Sequence, residues 1–233
     1  MKTRFLTTVC ALLTLAVLLG GCSAGAEKAP KKEVGIQLYS VRSLIGAFGN
    51  NQEDYKPVLK QLADMGYTSV EAASYKDGKI YGQTPEQFRK DVEEAGMKVL
   101  STHCTINLSD EELAAGDFSK ALAWWDECIA AHKAAGAEYI VVPSMRKVST
   151  LEELATYCRY FNEVGARCKA AGIKFGYHNH SREFEKVEDR VMLDYMLENT
   201  DPDKVFFQMD VYWTVMGQAS PVDYFTKYPG RFR

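Results

Sequence analysis

Four stretches of the chain repeat one alternation of polar and apolar positions. LADMGYTSVEAAS, VEEAGMKVLSTH, HKAAGAEYIVVPS and CKAAGIKFGYHNH each begin as a charged, alanine-bearing helix tail. Each passes through a glycine (Gly66, Gly96, Gly136 or Gly172) and continues as a short β-branched or apolar run. A glycine there suits the left-handed position that closes a helix. Its recurrence every 30 to 40 residues leaves room for one helix, one strand and their turns. The pattern predicts parallel β/α units. Six strands are expected, at about 34–39, 68–72, 98–103, 138–143, 173–178 and 205–210. Ser149 or Thr150 offers a cap for a long amphipathic helix ending near Gly172, and TDPDK (200–204) and ASPVDYF (219–225) supply breaks and caps.

Two architectures suit such a repeat, a (β/α)8 barrel and a doubly wound sheet. The stretch GIQLYSVRSLIGAFGN carries no G-x-G-x-x-G phosphate loop after the first strand, which favours the barrel. Six units occupy about 200 residues, whereas a closed barrel takes eight. YPGRFR reads as the opening of a seventh strand. The expectation is therefore an α/β fold of (β/α)8 TIM-barrel type, C-terminally truncated after about six β/α units and occupying residues 34–233.

The residues before 34 read differently. Lys2 and Arg4 precede an apolar run and then small residues ahead of Cys22, the organisation of an export signal. LLGGC resembles a bacterial lipobox. That resemblance implies a signal peptide over 1–21, a lipid on Cys22 and a polar tether over 22–33. A plain signal peptide or a single membrane anchor is the alternative. The expected location is the bacterial cell envelope, lipid-anchored and facing the periplasm or the surface, with the membrane touched through the anchor only. Cys104, Cys128, Cys158 and Cys168 show no C-x-x-C spacing, so a structural zinc site is not expected, and buried free thiols are the simpler reading. A net charge of −3 with no basic stripe excludes nucleic acid as a natural partner.

Strand parity brings candidate chemistry together. Side chains alternate across a strand, so His178, His180 and Gly176 share one face, while Phe175 and Tyr177 face the helices. The same count turns Gln208 and Asp210 inward, with Val205, Phe207, Met209 and Val211 on the helix side. Gln37, Tyr39, Glu71 and His103 also point inward. Parallel strands covered on both faces normally read as apolar runs, so this many polar residues at successive strand ends predict a concave site at the carboxyl end of the barrel. Two imidazoles and a carboxylate are a plausible first shell for a divalent metal, with His178 and Asp210 as the expected ligands. Hydrogen bonding of the imidazoles to sugar hydroxyls is the alternative. Glu71, His103 and His180 are the candidate catalytic acid/base groups, though Glu71 also suits a buried ion pair. Gln37, Tyr39, Asn179 and Trp213 are the candidate substrate contacts. His132, near a helix end, reads as a surface residue, and Trp124 and Trp125 as packing.

Taken together, GIQLYSVR, GYTSVEAASY, KVLSTH, YIVVPSM, GYHNHSREF and MDVYW resemble the sugar phosphate isomerase/epimerase family, the xylose-isomerase-like TIM barrels. The resemblance implies a metal-dependent enzyme that moves a proton next to the carbonyl of a small carbohydrate, using a divalent cation such as Mn, Zn, Co or Mg. It also implies a metal shell of Glu, Asp, His and Glu from strands five to eight. Asp210 matches the Asp, His178 stands where a Glu is usual, and the last two ligands have no counterpart here. The YH-x-H strand resembles the inosose dehydratase branch, which makes dehydration or β-elimination on a ketosugar or inositol the alternative chemistry. A non-catalytic carbohydrate-binding lipoprotein is the reading from outside the enzyme class. An exported protein rarely meets sugar phosphates, so a free sugar or ketosugar is the expected substrate.

Overall fold

The computed structural model describes residues 33–51 and 54–233. The proposed signal, tether and Cys22 lie outside them, Glu33 excepted. Six parallel strands form one sheet in sequential order: β1 (Gly35–Gln37), β2 (Ser69–Ala72), β3 (Lys98–His103), β4 (Tyr139–Val142), β5 (Lys174–His178) and β6 (Val205–Gln208). Every neighbouring pair is joined through a helix, as parallel strands require. The principal helices are α1 (Lys56–Asp64), α2 (Pro85–Glu94), α3 (Ser119–Ala134), α4 (Leu151–Ala171), α5 (Met192–Asn199) and α6 (Pro221–Lys227). Beyond β6, Phe207 N donates to Arg231 O (2.8 Å) and Arg233 N to Phe207 O (3.1 Å), so the RFR segment lies parallel to β6.

Local sequence accounts for these elements. Gly66, Gly96, Gly136 and Gly172 all have positive φ, and in each case the chain turns from helix to strand within three residues. Thr150 caps α4 by accepting from Glu153 N (3.2 Å), and Ser220 caps α6 in the same way. Between sheet and helices the core is aromatic. Trp125, Phe161, Phe175, Tyr177 and Phe207 are almost fully buried there, as parity predicts for the three strand residues. The inward face behaves differently. Phe206 lies across Gly176, where a β-carbon would stand 2.6 Å from its ring, so the glycine makes room for an aromatic in the barrel interior.

Several expectations need correction. His132 is not a surface residue. It is fully buried between α3 and β3, bonded to Thr102 Oγ1 (3.1 Å) and to the Cys128 carbonyl (2.7 Å), and burial lowers its pKa to about 4. Met209 and Val211 do not face the helices. β6 ends at Gln208, a short helix begins at Val211, and both residues line the mouth of the barrel. Tyr39 sits in a 3-10 turn (Leu38–Val41) rather than in β1. Finally, the β2–β3 register slips between Val70 and Glu71, leaving Leu100 as an extra residue. The bulge sets the phase of β3, with Val99 packed outward in the core and Ser101 and His103 facing in.

Candidate active site

The carboxyl ends of the strands enclose a cleft of about 830 Å³ lined by Gln37, Tyr39, Glu71, His103, His178, His180, Asp210 and Trp213, among others. Its floor is a hydrogen-bond network centred on Gln208, the last residue of β6. The Gln208 amide donates to Glu71 Oε2 (2.7 Å). Its carbonyl oxygen accepts from His103 Nε2 and from His178 Nδ1, each at 2.9 Å. His103 Nε2 also reaches Glu71 Oε1 at 3.0 Å, and Gln37 Nε2 donates to His103 Nδ1 at 2.9 Å. Beneath this floor the interior holds a further cavity of about 490 Å³, lined in part by Leu100, Val141 and Phe206.

Partner chemistry fixes the tautomers. An amide nitrogen only donates and an amide oxygen only accepts. His103 therefore accepts at Nδ1 and donates at Nε2, so both ring nitrogens are engaged, and the residue is 4% exposed. Glu71 accepts at both oxygens. Its burial favours the neutral acid, but hydrogen bonds from His103, Ser101 and the Gln208 amide outweigh that and hold its pKa at about 2. In this arrangement Glu71 and His103 brace the floor, His103 through both ring nitrogens and Glu71 through both oxygens. Because the folded pKa of Glu71 lies below its ordinary value, the unfolded chain binds the extra proton first. Its contribution to stability is complete above pH 4.5 and is lost as pH falls toward 2. Urea titrations between pH 6 and 2 are expected to show this acid limb, and Glu71→Gln should flatten it.

His178 is held the other way round. Its Nδ1–H is spent on Gln208, so the lone pair on Nε2 faces Asp210 Oδ2 at 3.4 Å. Desolvation lowers the His178 pKa despite Asp210, which favours the neutral ring. Two acceptors this close need a cation or a proton between them. The separation is one that two ligand atoms, each about 2.1 Å from one ion, can span. A divalent metal thus fits the pair His178 and Asp210, with Gln208 as the outer-shell group that sets the imidazole tautomer. Among the described residues no third imidazole, thiolate or carboxylate groups with this pair within mutual reach.

His180 follows the end of β5, where a 3-10 turn (Ser181–Phe184) begins. Buried Glu183 fixes it. Glu183 accepts from His180 N (2.8 Å), Tyr177 OH (2.7 Å) and Arg182 Nε (3.0 Å). Burial lowers the His180 pKa, which favours the neutral ring. The ring lies beside Trp213, with centroids 5.5 Å apart. Asn179 is the one expected contact that does not reach the cleft. It is 2% exposed and clamps the Asp210 backbone, accepting from its N–H (3.0 Å) and donating to its C=O (3.3 Å).

Gln208 is legible in the sequence only as an inward residue, with nothing in a lone glutamine to reveal that it joins three other side chains. Gln208→Leu is expected to free the His178 tautomer and lower metal affinity by about 10- to 100-fold. Calorimetric titration with Mn2+ or Co2+ measures this.

Comparison with known proteins agrees with this geometry. The profile of the xylose isomerase-like TIM barrel family matches residues 59–232. The chain belongs to that family. Two sugar phosphate isomerases/epimerases of Parabacteroides distasonis ATCC 8503 share its fold with TM-scores of 0.75 and 0.74, at 36% and 31% identity. They cover 86% and 89% of this chain, and the matches span 77% and 75% of theirs. The inosose dehydratase of Geobacillus kaustophilus (strain HTA426) is 23% identical over 192 residues, 76% of this chain and 59% of that protein, so the chain spans less than two thirds of this curated relative. An L-ribulose 3-epimerase, 17% identical with a TM-score of 0.64, shares the fold.

Proposed function

We propose that this xylose isomerase-like barrel is a metal-dependent isomerase or epimerase of a free sugar or ketosugar, working by proton transfer next to the carbonyl. The observation that carries the reading is a histidine–carboxylate pair at the mouth with a second histidine beside it in the same cleft. His178 offers a lone pair beside Asp210, and His180, two residues on, lines the same cleft with its ring beside Trp213. A divalent cation held by His178 Nε2 and Asp210 Oδ2 would polarise the carbonyl and hydroxyl oxygens of the sugar. His180 takes the substrate proton at an unprotonated ring nitrogen facing the cleft and returns it from the imidazolium so formed. Trp213 and Tyr39 wall the cleft with surfaces on which a sugar ring can lie. No lysine or arginine is among the described residues that line the cleft, while two carboxylates are, which favours an uncharged sugar over a phosphate ester.

Dehydration is the second reading, supported by His178 standing where the family more often has a carboxylate and by the likeness to an inosose dehydratase. Both reactions begin with loss of the same proton, and β-elimination then needs an acid at the leaving hydroxyl, a part His180 can also play. Incubating the metal-loaded protein with free ketoses and inososes in D2O separates the readings. Deuterium exchange with sugar interconversion is expected. Loss of water without interconversion moves the assignment to a dehydratase. Sugar binding without exchange would leave a binding protein.

The proposal includes an envelope location through a lipid on Cys22. No helix among the described residues is long and apolar enough to cross a membrane. Cys22→Ser is expected to move the protein from the membrane pellet to the soluble fraction and to abolish palmitate labelling.

A further inference from the structure

A second group of metal-ligating side chains lies on the opposite face of β3 from the cleft. Cys128 and His132 are four residues apart on α3, so they share one helix face. Cys104 follows β3 directly and meets them across the sheet–helix layer. The two sulfurs are 3.4 Å apart, Cys128 Sγ is 3.3 Å from His132 Nδ1, and one donor atom from each residue lies within 4.8 Å of the other two. All three side chains are buried.

We propose that Cys104, Cys128 and His132 form a binding site for one thiophilic d10 cation of the zinc type, separate from the catalytic cleft. The distances carry this. Two thiolates each about 2.3 Å from a tetrahedral ion stand about 3.8 Å apart, and a thiolate and an imidazole nitrogen about 3.5 Å apart. The observed pairs are already within a few tenths of an ångström of those edges. A disulfide needs the sulfurs near 2.05 Å and has no use for the imidazole. The outer shell is also present. His132 Nε2 is 3.1 Å from Thr102 Oγ1, a hydroxyl that can either donate or accept. Without metal, His132 donates from Nδ1 to the Cys128 carbonyl and accepts from Thr102. With metal, Nδ1 gives up its hydrogen and its bond to the Cys128 carbonyl, and Nε2–H donates to Thr102. Binding a dication releases two protons, one from each thiol, so the neutral dithiol becomes a neutral dithiolate complex and no net charge is buried. The tautomer of the neutral imidazole changes without altering its charge. Such a site pins the end of β3, and with it His103, to α3.

Cobalt distinguishes this site from the cleft, whose described lining residues include no thiol. Reduced full-length protein titrated with Co2+ is expected to gain a near-ultraviolet sulfur-to-cobalt charge-transfer band that saturates at one equivalent and is displaced by Zn2+. Cys128→Ser and Cys104→Ser should each abolish the band and weaken Zn2+ binding at least tenfold, while His178→Ala should leave it intact. The wild-type titration stands alone if a cysteine variant fails to fold. Absence of the band in folded wild-type protein overturns the proposal. So does a mass 2 Da low that maps by proteolysis to a Cys104–Cys128 disulfide in protein isolated without reductant.

Discussion

Asp210→Asn is expected to lower sugar proton exchange by about a hundredfold or more, with little change in thermal midpoint. The carboxylate has two separate duties. Oδ1 accepts from Trp213 N at 2.9 Å and starts the helix Val211–Met216. Oδ2 faces the His178 lone pair at 3.4 Å. An asparagine retains the first function, because its amide oxygen still caps the helix. It reverses the second. The amide N–H donates to His178 Nε2 and satisfies directly the gap that a cation would otherwise fill. Lewis-acid assistance is worth several kcal/mol, which sets the size of the loss. Asp210→Ala removes the cap as well and should cost about 1 kcal/mol of stability in addition. Comparing Mn2+ affinity, exchange rate and melting temperature across the two variants checks this. Full metal affinity in Asp210→Asn would remove Asp210 from the metal site.

The same residues show what the sequence makes legible. Glycine at a helix end and alternation along a strand are local rules, and together they place six strands within about two residues and turn Glu71, His103, His178 and Asp210 toward one cleft. What they miss depends on distant neighbours. Parity extended past Gln208 misplaces Met209 and Val211, because Asp210 ends the strand by capping a helix. The bulge at Leu100 changes the phase of β3 and leaves no mark in KVLSTH. His132 has the composition of a helix surface, IAAHKAAG, yet fills a buried slot because Thr102 and the Cys128 carbonyl take both its nitrogens. Asn179 sits between two cleft histidines and has the opposite parity, so it clamps Asp210 from behind. The roles of Glu71 and His103 likewise turn on Gln208, a contact 137 residues away in sequence from Glu71.

Gly165→Ala is expected to destabilise the protein by about 2–3 kcal/mol, the cost of overpacking a close-packed contact. Helix propensity alone predicts the opposite sign, since alanine is favoured over glycine inside a helix by about 1 kcal/mol. Gly165 lies within α4, where nothing in VGARCKAAG marks it as different from an ordinary helical glycine. A β-carbon there would stand 2.4 Å from the Lys204 carbonyl oxygen and 2.9 Å from its carbon. Those are backbone atoms of the turn that enters β6, and Asp201 holds that turn through bonds from Lys204 N (3.0 Å) and Val205 N (2.9 Å). The side chain therefore cannot be accommodated by a rotamer change. Either α4 lifts from the sheet, away from Phe175 and Tyr177, or the start of β6 moves. Movement of β6 carries Gln208 and Asp210 with it, so a packing change on the outer layer reaches the floor of the cleft. For a domain of this size the melting temperature should fall by roughly 4–12 °C. The residual folded protein should also bind Mn2+ more weakly, as Gln208 and His178 lose register. A melting temperature equal to or above that of the parent would mean that helix propensity outweighs the close approach of α4 to Lys204.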